Sequence, residues 1–353
     1  MASFQEQSQV AIGLQLYYKY FEQAIDKGVQ ETIKQWYLRS LMALDTTVKP
    51  QDSNTSLGLN GCHETAAHDC NDTTTPAAVV GRVRVALDGV NCTIGGTMEQ
   101  LLEHIEQVKT HPVIQGHDID FKLSKSNGAL SHKAKIESGF EHLSVRCVPE
   151  VVTLGAQVEV KDVAPHVTPQ EFHQILSQGD TATDNLSDQD HSSDHDSGVV
   201  LLDCRNSYES AIGQFQASHI KTITCDTRKF SELPSFLEQD CIMEELRGKK
   251  IMMYCTGGVR CERASAFLRS KGQEFDDCVQ LSGGIERYLQ AYPSSETSLF
   301  KGRNFVFDER VAVAPAAGPI HIIGKCHACG SQWDDYSNKD RCSSCRSHVI
   351  TDN

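Results

Sequence analysis

The sequence predicts a mixed α/β protein of 353 residues in three parts. These are an N-terminal ferredoxin-like α+β domain (residues 10–155), an α/β domain with a parallel sheet (166–293), and a C-terminal extension (300–353) that ends in a zinc-ribbon-like module. Three observations carry this. The first part orders its apolar periods strand–helix–strand–strand–helix–strand, the split βαβ pattern. The middle alternates almost wholly apolar runs with helical stretches, as buried parallel strands and their crossovers do. The end holds two Cys-x2-Cys pairs.

AIGLQLYYKYF, from Ala11, has the aromatic and β-branched bias of a strand. GVQETIKQWYLRSLMAL, from Gly28, spaces Ile33, Trp36, Tyr37, Leu41 and Leu44 at helical intervals. GRVRVALDGVNCTIGG, from Gly81, reads as two strands about an Asp88-Gly89 turn, and Asn91 and its neighbours are expected to form a tight glycine-flanked turn that shapes the backbone or contacts substrate. TMEQLLEHIEQVKTHP reads as an amphipathic helix capped by Thr97 and stopped by Pro112. FKLSKS, from Phe121, and HLSVRCVPEVVTL, from His142, supply further strands. Residues 46–76 show no periodicity and read as a disordered insertion.

In the second part, VTPQEFHQIL reads as a helix with Pro169 in its first turn. GVVLLDCRN, from Gly198, and KKIMMYC, ending at Cys255, read as buried parallel strands. Helices are expected at SYESAI, SELPSFL and CIMEEL, and CVQLSGGIERYLQAY gives a strand, a glycine turn and a final helix. Residues 178–198, rich in Asp and without Lys or Arg, read as an acidic disordered insertion that binds metal weakly at most. FVFDERVAV, from Phe305, follows, with Asp308 and Arg310 expected to pair on a packed strand.

Formal charge is 33 minus 47, or −14, which excludes a protein that coats nucleic acid non-specifically. It leaves room for a local basic stripe, for which Lys122, Lys125, Lys133, Lys135 and Arg146 are candidates. No run of about 18 apolar residues is present, so no membrane span is expected. The N-terminus lacks a signal peptide's basic start and apolar core, and the fourteen cysteines are scattered rather than framed as disulfides. A reducing, cytoplasmic location is therefore expected. His104 and His142 are expected to be ordinary core or surface residues.

The chemistry is expected at YCTGGVRCERASAFL, from Tyr254. Here a strand ends on Cys255 and a helix begins a few residues later, where active sites of such sheets lie. Converging backbone N–H groups and a helix N-terminus favour the thiolate, which is the reactive form. Thr256, Gly257, Gly258 and Val259 form the loop, and Gly257 and Gly258 keep side chains off the sulfur. The loop is one residue shorter than the ring with which cysteine phosphatases wrap a phosphate, and so suits a terminal sulfur. Arg260 supports the loop or meets an anion such as thiosulfate. Cys261 is a candidate resolving thiol, with helix packing as its plainer role. Asp203 and Arg205 sit at a strand end and read as structural.

LLDCRNSYESAIG, CTGGVRCE and LSGGIERYL resemble a rhodanese domain. With YYKY, GRVRVALDGVNCTIGG and FVFDERVAV, the chain resembles the bacterial tRNA uridine hydroxylases that carry a rhodanese domain, and their eukaryotic relatives. That resemblance implies an acylphosphatase-like N-terminal domain. It also implies a Cys255 persulfide that takes sulfur from a thiosulfate-like donor and passes it to a thiol acceptor. The alternative it implies is hydroxylation of the wobble uridine of tRNA to 5-hydroxyuridine, with tRNA as partner. A non-catalytic rhodanese binding module is the third reading, and the intact loop weighs against it. No DNA partner is expected. Asp88-Gly89-Val90-Asn91-Cys92-Thr93 departs from the family's usual E-G-I-N-G-T, with Cys92 in place of a glycine.

Cys326-x2-Cys329 is followed after twelve residues by Cys342-x2-Cys345. Four soft ligands in two paired knuckles suit tetrahedral, structural Zn2+ with no open position. His327 and His348 are weak alternatives.

Overall fold

The computed structural model describes residues 12–44, 78–115, 118–125, 141–159, 162–178, 198–308, 310–326 and 329–333. The two expected insertions lie almost entirely outside these residues. The chain divides into two compact units, the second of which takes in everything from Pro149 onward.

The first unit holds β1 (Ile12–Tyr20), α1 (Lys27–Leu44), β2 (Val80–Ala86), β3 (Gly89–Thr97), α2 (Met98–Lys109), β4 (Lys122–Lys125) and β5 (Leu143–Val148). Its sheet order is β4-β1-β3-β2-β5. The first four strands are the ferredoxin-like arrangement, and β5 adds a fifth, parallel to β2. Thr97 caps α2 with a reciprocal capping box to Gln100, as its position before the apolar period predicts. One face of the sheet packs on α1 and α2, where Tyr17 meets Tyr37 at 2.9 Å and His104 at 3.0 Å. His104 is thus a core residue, and burial depresses its pKa to about 4. Cys92 is also core, fully buried, with burial pushing its thiol up to about 12.

Two expectations change here. Asn91 lies within β3 opposite Arg84, not in the turn, because the turn closes at Asp88 and pairing resumes at Gly89. Lys122 is nearly buried and pairs with Asp120 at 3.0 Å, so it does not belong to an exposed basic stripe. Lys133 and Lys135 lie outside the described residues.

The second unit is built on a wholly parallel sheet. Its elements are β6 (His166–Val167), α3 (Pro169–Ser177), β7 (Val199–Asp203), α4 (Ser207–Ser210), β8 (Gly213–Phe215), β9 (Lys221–Thr224), α5 (Leu233–Leu237), α6 (Asp240–Leu246), β10 (Lys250–Tyr254), α7 (Val259–Arg269), β11 (Cys278–Leu281) and α8 (Gly284–Ala291). Strand order is β6-β11-β10-β7-β9. Alternation along the strands feeds two cores. Leu202, Met253 and Ile223 face α5, α6 and α7, whereas Leu201, Met252 and Val279 face α3 and α8. Helices therefore cover both faces, as the apolar runs of β7 and β10 require.

β6 and β9 form the two edges of the sheet, outside β11, β10 and β7, and neither stands out in the sequence because both are short and partly polar. β12 (Phe300–Gly302) pairs with β8, and β13 (Asn304–Phe305) forms a hairpin with β14 (Ala312–Val313). Among the described residues no helix is long and apolar enough to cross a membrane.

Candidate active site

Cys255 follows β10 directly, and the chain turns through Gly258 at φ 99° into α7. Only glycine takes that dihedral cheaply, so the sharp entry into the helix is written into the sequence. The turn aims N–H groups at the sulfur. The Gly258 amide donates to Cys255 Sγ at 3.1 Å, and the amides of Arg260 and Cys261 also reach it. The loop's carbonyls point the other way, because α8 takes them. Ile285 N–H donates to the Cys255 carbonyl at 3.0 Å and Glu286 N–H to the Thr256 carbonyl at 3.1 Å. Gly284, at φ 65°, lets the two segments touch: a Cβ there would stand 2.6 Å from the Cys255 carbonyl oxygen and 2.7 Å from Gly258 N.

Cys255 has no exposed surface. Burial alone pushes its thiol up. Hydrogen bonding from the Cys261 side chain, the Arg260 charge and the two amides together outweigh this and lower its pKa to about 5. Cys261 moves in the opposite direction, raised by burial and by its thiol neighbours Cys204 and Cys255. It is also wholly buried, and its S–H serves the Cys255 thiolate as a donor.

Arg260 is also buried. Its guanidinium grips Glu209 with two bonds, at 2.6 and 2.7 Å, and donates to Thr256 Oγ1 at 3.1 Å. Thr256 Oγ1 in turn contacts Glu209 at 3.2 Å and the Phe305 carbonyl at 3.1 Å. The geometry therefore makes Arg260 a support for the loop and a source of positive charge near the sulfur, with both of its outer nitrogens already engaged by Glu209. Glu209 is the partner that sequence reasoning missed. It lies in the quoted LLDCRNSYESAIG stretch, 51 positions from Arg260, and a lone carboxylate three residues into a short helix carries no signal of its own.

Asp203 and Arg205 sit at the end of β7 as expected. They form a fully buried bidentate pair that also holds Ser210 and the Gly213 carbonyl, away from the sulfur. Asp308 and Arg310 pair bidentately on the β13–β14 turn, and Arg310 reaches Glu286 at 2.8 Å. Glu286 lies against Gly257, with Oε2 3.6 Å from where a Cβ would be.

Of the four cysteines expected to hold metal, Cys326 is buried and Cys329 exposed, and Cys342 and Cys345 lie outside the described residues. The first pair sits on a tight turn. Gly330, at φ 70°, donates to the Cys326 carbonyl at 2.8 Å, and Cys326 N–H donates to Ser331 at 2.8 Å.

Comparison with known proteins agrees with this architecture. Residues 60–151 match the UPF0176 acylphosphatase-like domain, 184–291 the rhodanese-like domain, and 301–352 the rhodanase C-terminal family. The chain is 40% identical over 280 residues to "Rhodanese-like domain-containing protein 6" of Arabidopsis thaliana, covering 78% of this chain but 45% of that protein. It therefore spans under half of that relative's length. It is 34% identical over 263 residues to a "tRNA uridine(34) hydroxylase" of Onion yellows phytoplasma (strain OY-M), covering 74% of this chain and 73% of the relative. A Bacillus thuringiensis (strain Al Hakam) protein with the same name is 34% identical over 264 residues, covering 73% and 70%. With an acylphosphatase-like domain ahead of a rhodanese domain whose cysteine loop is intact, the chain belongs to the family of rhodanese-domain enzymes that includes the tRNA uridine(34) hydroxylases.

Proposed function

We propose that the protein is a sulfurtransferase in which Cys255 alternates between thiolate and persulfide. The observation that carries this reading is the Cys255 sulfur held at the start of α7 under inward N–H groups and beside an arginine, surroundings that lower its pKa and favour the thiolate. The Cys255 sulfur attacks the outer sulfur of thiosulfate. A sulfur–sulfur bond forms, the bond to the sulfonate breaks, and sulfite leaves with the bonding pair. An acceptor thiolate then attacks the outer persulfide sulfur, takes it, and returns Cys255 as thiolate. The same amides stabilise both anionic sulfurs. Because Cys255 is covered, donor entry requires the loop or the β13–β14 hairpin beside it to shift.

The test is sulfite release from thiosulfate with a thiol acceptor. The wild type releases sulfite and shows a persulfide mass on Cys255, and Cys255→Ser does neither. A wild-type protein that never gains that mass sinks the reading.

A second reading is wobble-uridine hydroxylation on tRNA. It is supported by the names of the bacterial relatives and by a row of arginines in the first unit. Arg84 pairs in register with Arg146, and Arg82 lies two residues away on the same strand and face. Burial lowers the Arg84 pKa, and the charges of Arg82 and Arg146 lower it further, as expected where like charges gather. Such a row suits phosphate. Nucleoside mass spectrometry of tRNA from cells lacking the protein decides: a missing 5-hydroxyuridine supports this reading, and unchanged wobble uridines remove it.

The same proposal includes a structural Zn2+ held by Cys326, Cys329, Cys342 and Cys345, in a cytoplasmic protein. The Cys-x2-Cys spacing and the paired backbone at Cys326, whose carbonyl accepts from Gly330 and whose N–H donates to Ser331, support that reading. The ion would cross-link the C-terminal extension and take no part in the chemistry.

A further inference from the structure

Cys255 is the end of a row of buried thiols. In the parallel sheet Tyr254 pairs with Asp203, and Asp203 with Thr224. One residue further, at the carboxyl ends of β10, β7 and β9, the neighbours are therefore Cys255, Cys204 and Cys225. All three side chains belong to the core that faces α7, and Cys261 of α7 packs in that same core. Each of the four is at most 1% exposed. Cys204 and Cys255 are both side-chain neighbours of Cys261. Adjacent parallel strands set the Cys204 and Cys255 backbones about 4.8 Å apart, and the Cys261 side chain hydrogen-bonds with both thiols, which puts its sulfur in reach of each.

We propose that Cys261 and Cys204 form a buried dithiol that reduces the sulfane sulfur carried by Cys255, releasing it as hydrosulfide. This rests on the persulfide reading above. Burial keeps Cys261 protonated, so it passes its proton to the outer sulfur of the persulfide as its own sulfur attacks Cys255 Sγ. A Cys255–Cys261 bond forms, the bond to the outer sulfur breaks, and that sulfur leaves with the bonding pair and the proton given up by Cys261. Cys204 then attacks the Cys261 sulfur and loses its proton to solvent, closing a Cys204–Cys261 disulfide and restoring the Cys255 thiolate. The dithiol supplies both electrons, and a dithiol reductant from solution resets it. Sulfur that finds no acceptor is thereby discharged, and the nucleophile is regenerated within one molecule.

The experiment is one turnover without external thiol. Full-length reduced protein is loaded anaerobically with thiosulfate and freed of excess. Sulfite reports loading, a bromobimane trap reports hydrosulfide, and peptide mass spectrometry reports persulfide and linkages. The expected result is hydrosulfide stoichiometric with sulfite and a linked Cys204–Cys261 peptide. Cys261→Ser should cut hydrosulfide release roughly tenfold or more, whereas Cys204→Ser should still release it in this single turnover but stop at a linked Cys255–Cys261 peptide. Cys225→Ala, two strands from Cys255, should keep it. Should the serine variants fold poorly, the alanine variants and the linkage in the wild type carry the same information. A persistent Cys255 persulfide with no hydrosulfide and no linkage in the wild type overturns the proposal and leaves sulfur transfer standing. Absence of any sulfite burst or persulfide overturns both.

Discussion

A wholly buried sulfur should hold its proton, since burial penalises the anion. At Cys255 that penalty is outweighed by an S–H donor, the Arg260 charge and inward amides, which lower its pKa instead. Its pKa near 5 sets the direction of pH dependence. Sulfite release per enzyme should hold from neutral pH downward and fall as pH drops through about 5, measured in single turnover. The lowered pKa also contributes stability that is full above the unfolded thiol's value of about 8.5 and is lost as pH falls through about 5. The melting difference between wild type and Cys255→Ser should shrink across that window. Arg260 depends on Glu209 more than on any substrate. Glu209→Gln leaves a buried cation with half its pairing, and should cost on the order of 3–5 kcal/mol in chemical denaturation and slow sulfite release. Unchanged stability would show that solvent reaches Arg260.

At the scale of elements, two contacts hold the loop in shape. The start of α8 takes the loop carbonyls, and the Phe305 carbonyl on β13 accepts from Thr256. Gly284→Ala would put a methyl group into the loop backbone at a left-handed dihedral. It should cost about 1–3 kcal/mol and depress sulfite release more than melting temperature, because the amides would no longer converge. α2 offers the contrast. Thr97→Ala removes a capping box in the other unit, and should cost about 1 kcal/mol while leaving sulfite release intact. Its measurement is paired denaturation and sulfite assays on one preparation.

Across the whole molecule, two units and a cysteine-bearing extension each answer a different question. The second unit holds the Cys255 loop, the first carries the arginine row, and the extension carries the proposed zinc ligands. Metal analysis of purified protein should find about one Zn2+ per chain, lost together in Cys326→Ser and Cys342→Ser variants. Much of this was legible from the chain alone. The strand-to-helix turn at Cys255 is local, so Gly258, the apolar KIMMY run and the following helix announced it, and the capping box at Thr97 announced α2 in the same way. Strands β6 and β9 were not legible, because two or four partly polar residues become strands only when a neighbouring strand offers its hydrogen bonds. The burial of Cys255 was not legible for the same reason, since its cover comes from segments remote in sequence. What the sequence by itself determined was the strand-to-helix cysteine loop and the periodicities of both units, because these depend on neighbours a few residues away. The pairing of Arg260 with Glu209, the alignment of Cys255, Cys204 and Cys225, and the sealing of the thiolate were decided by tertiary structure, because strand register and packing bring together residues tens of positions apart.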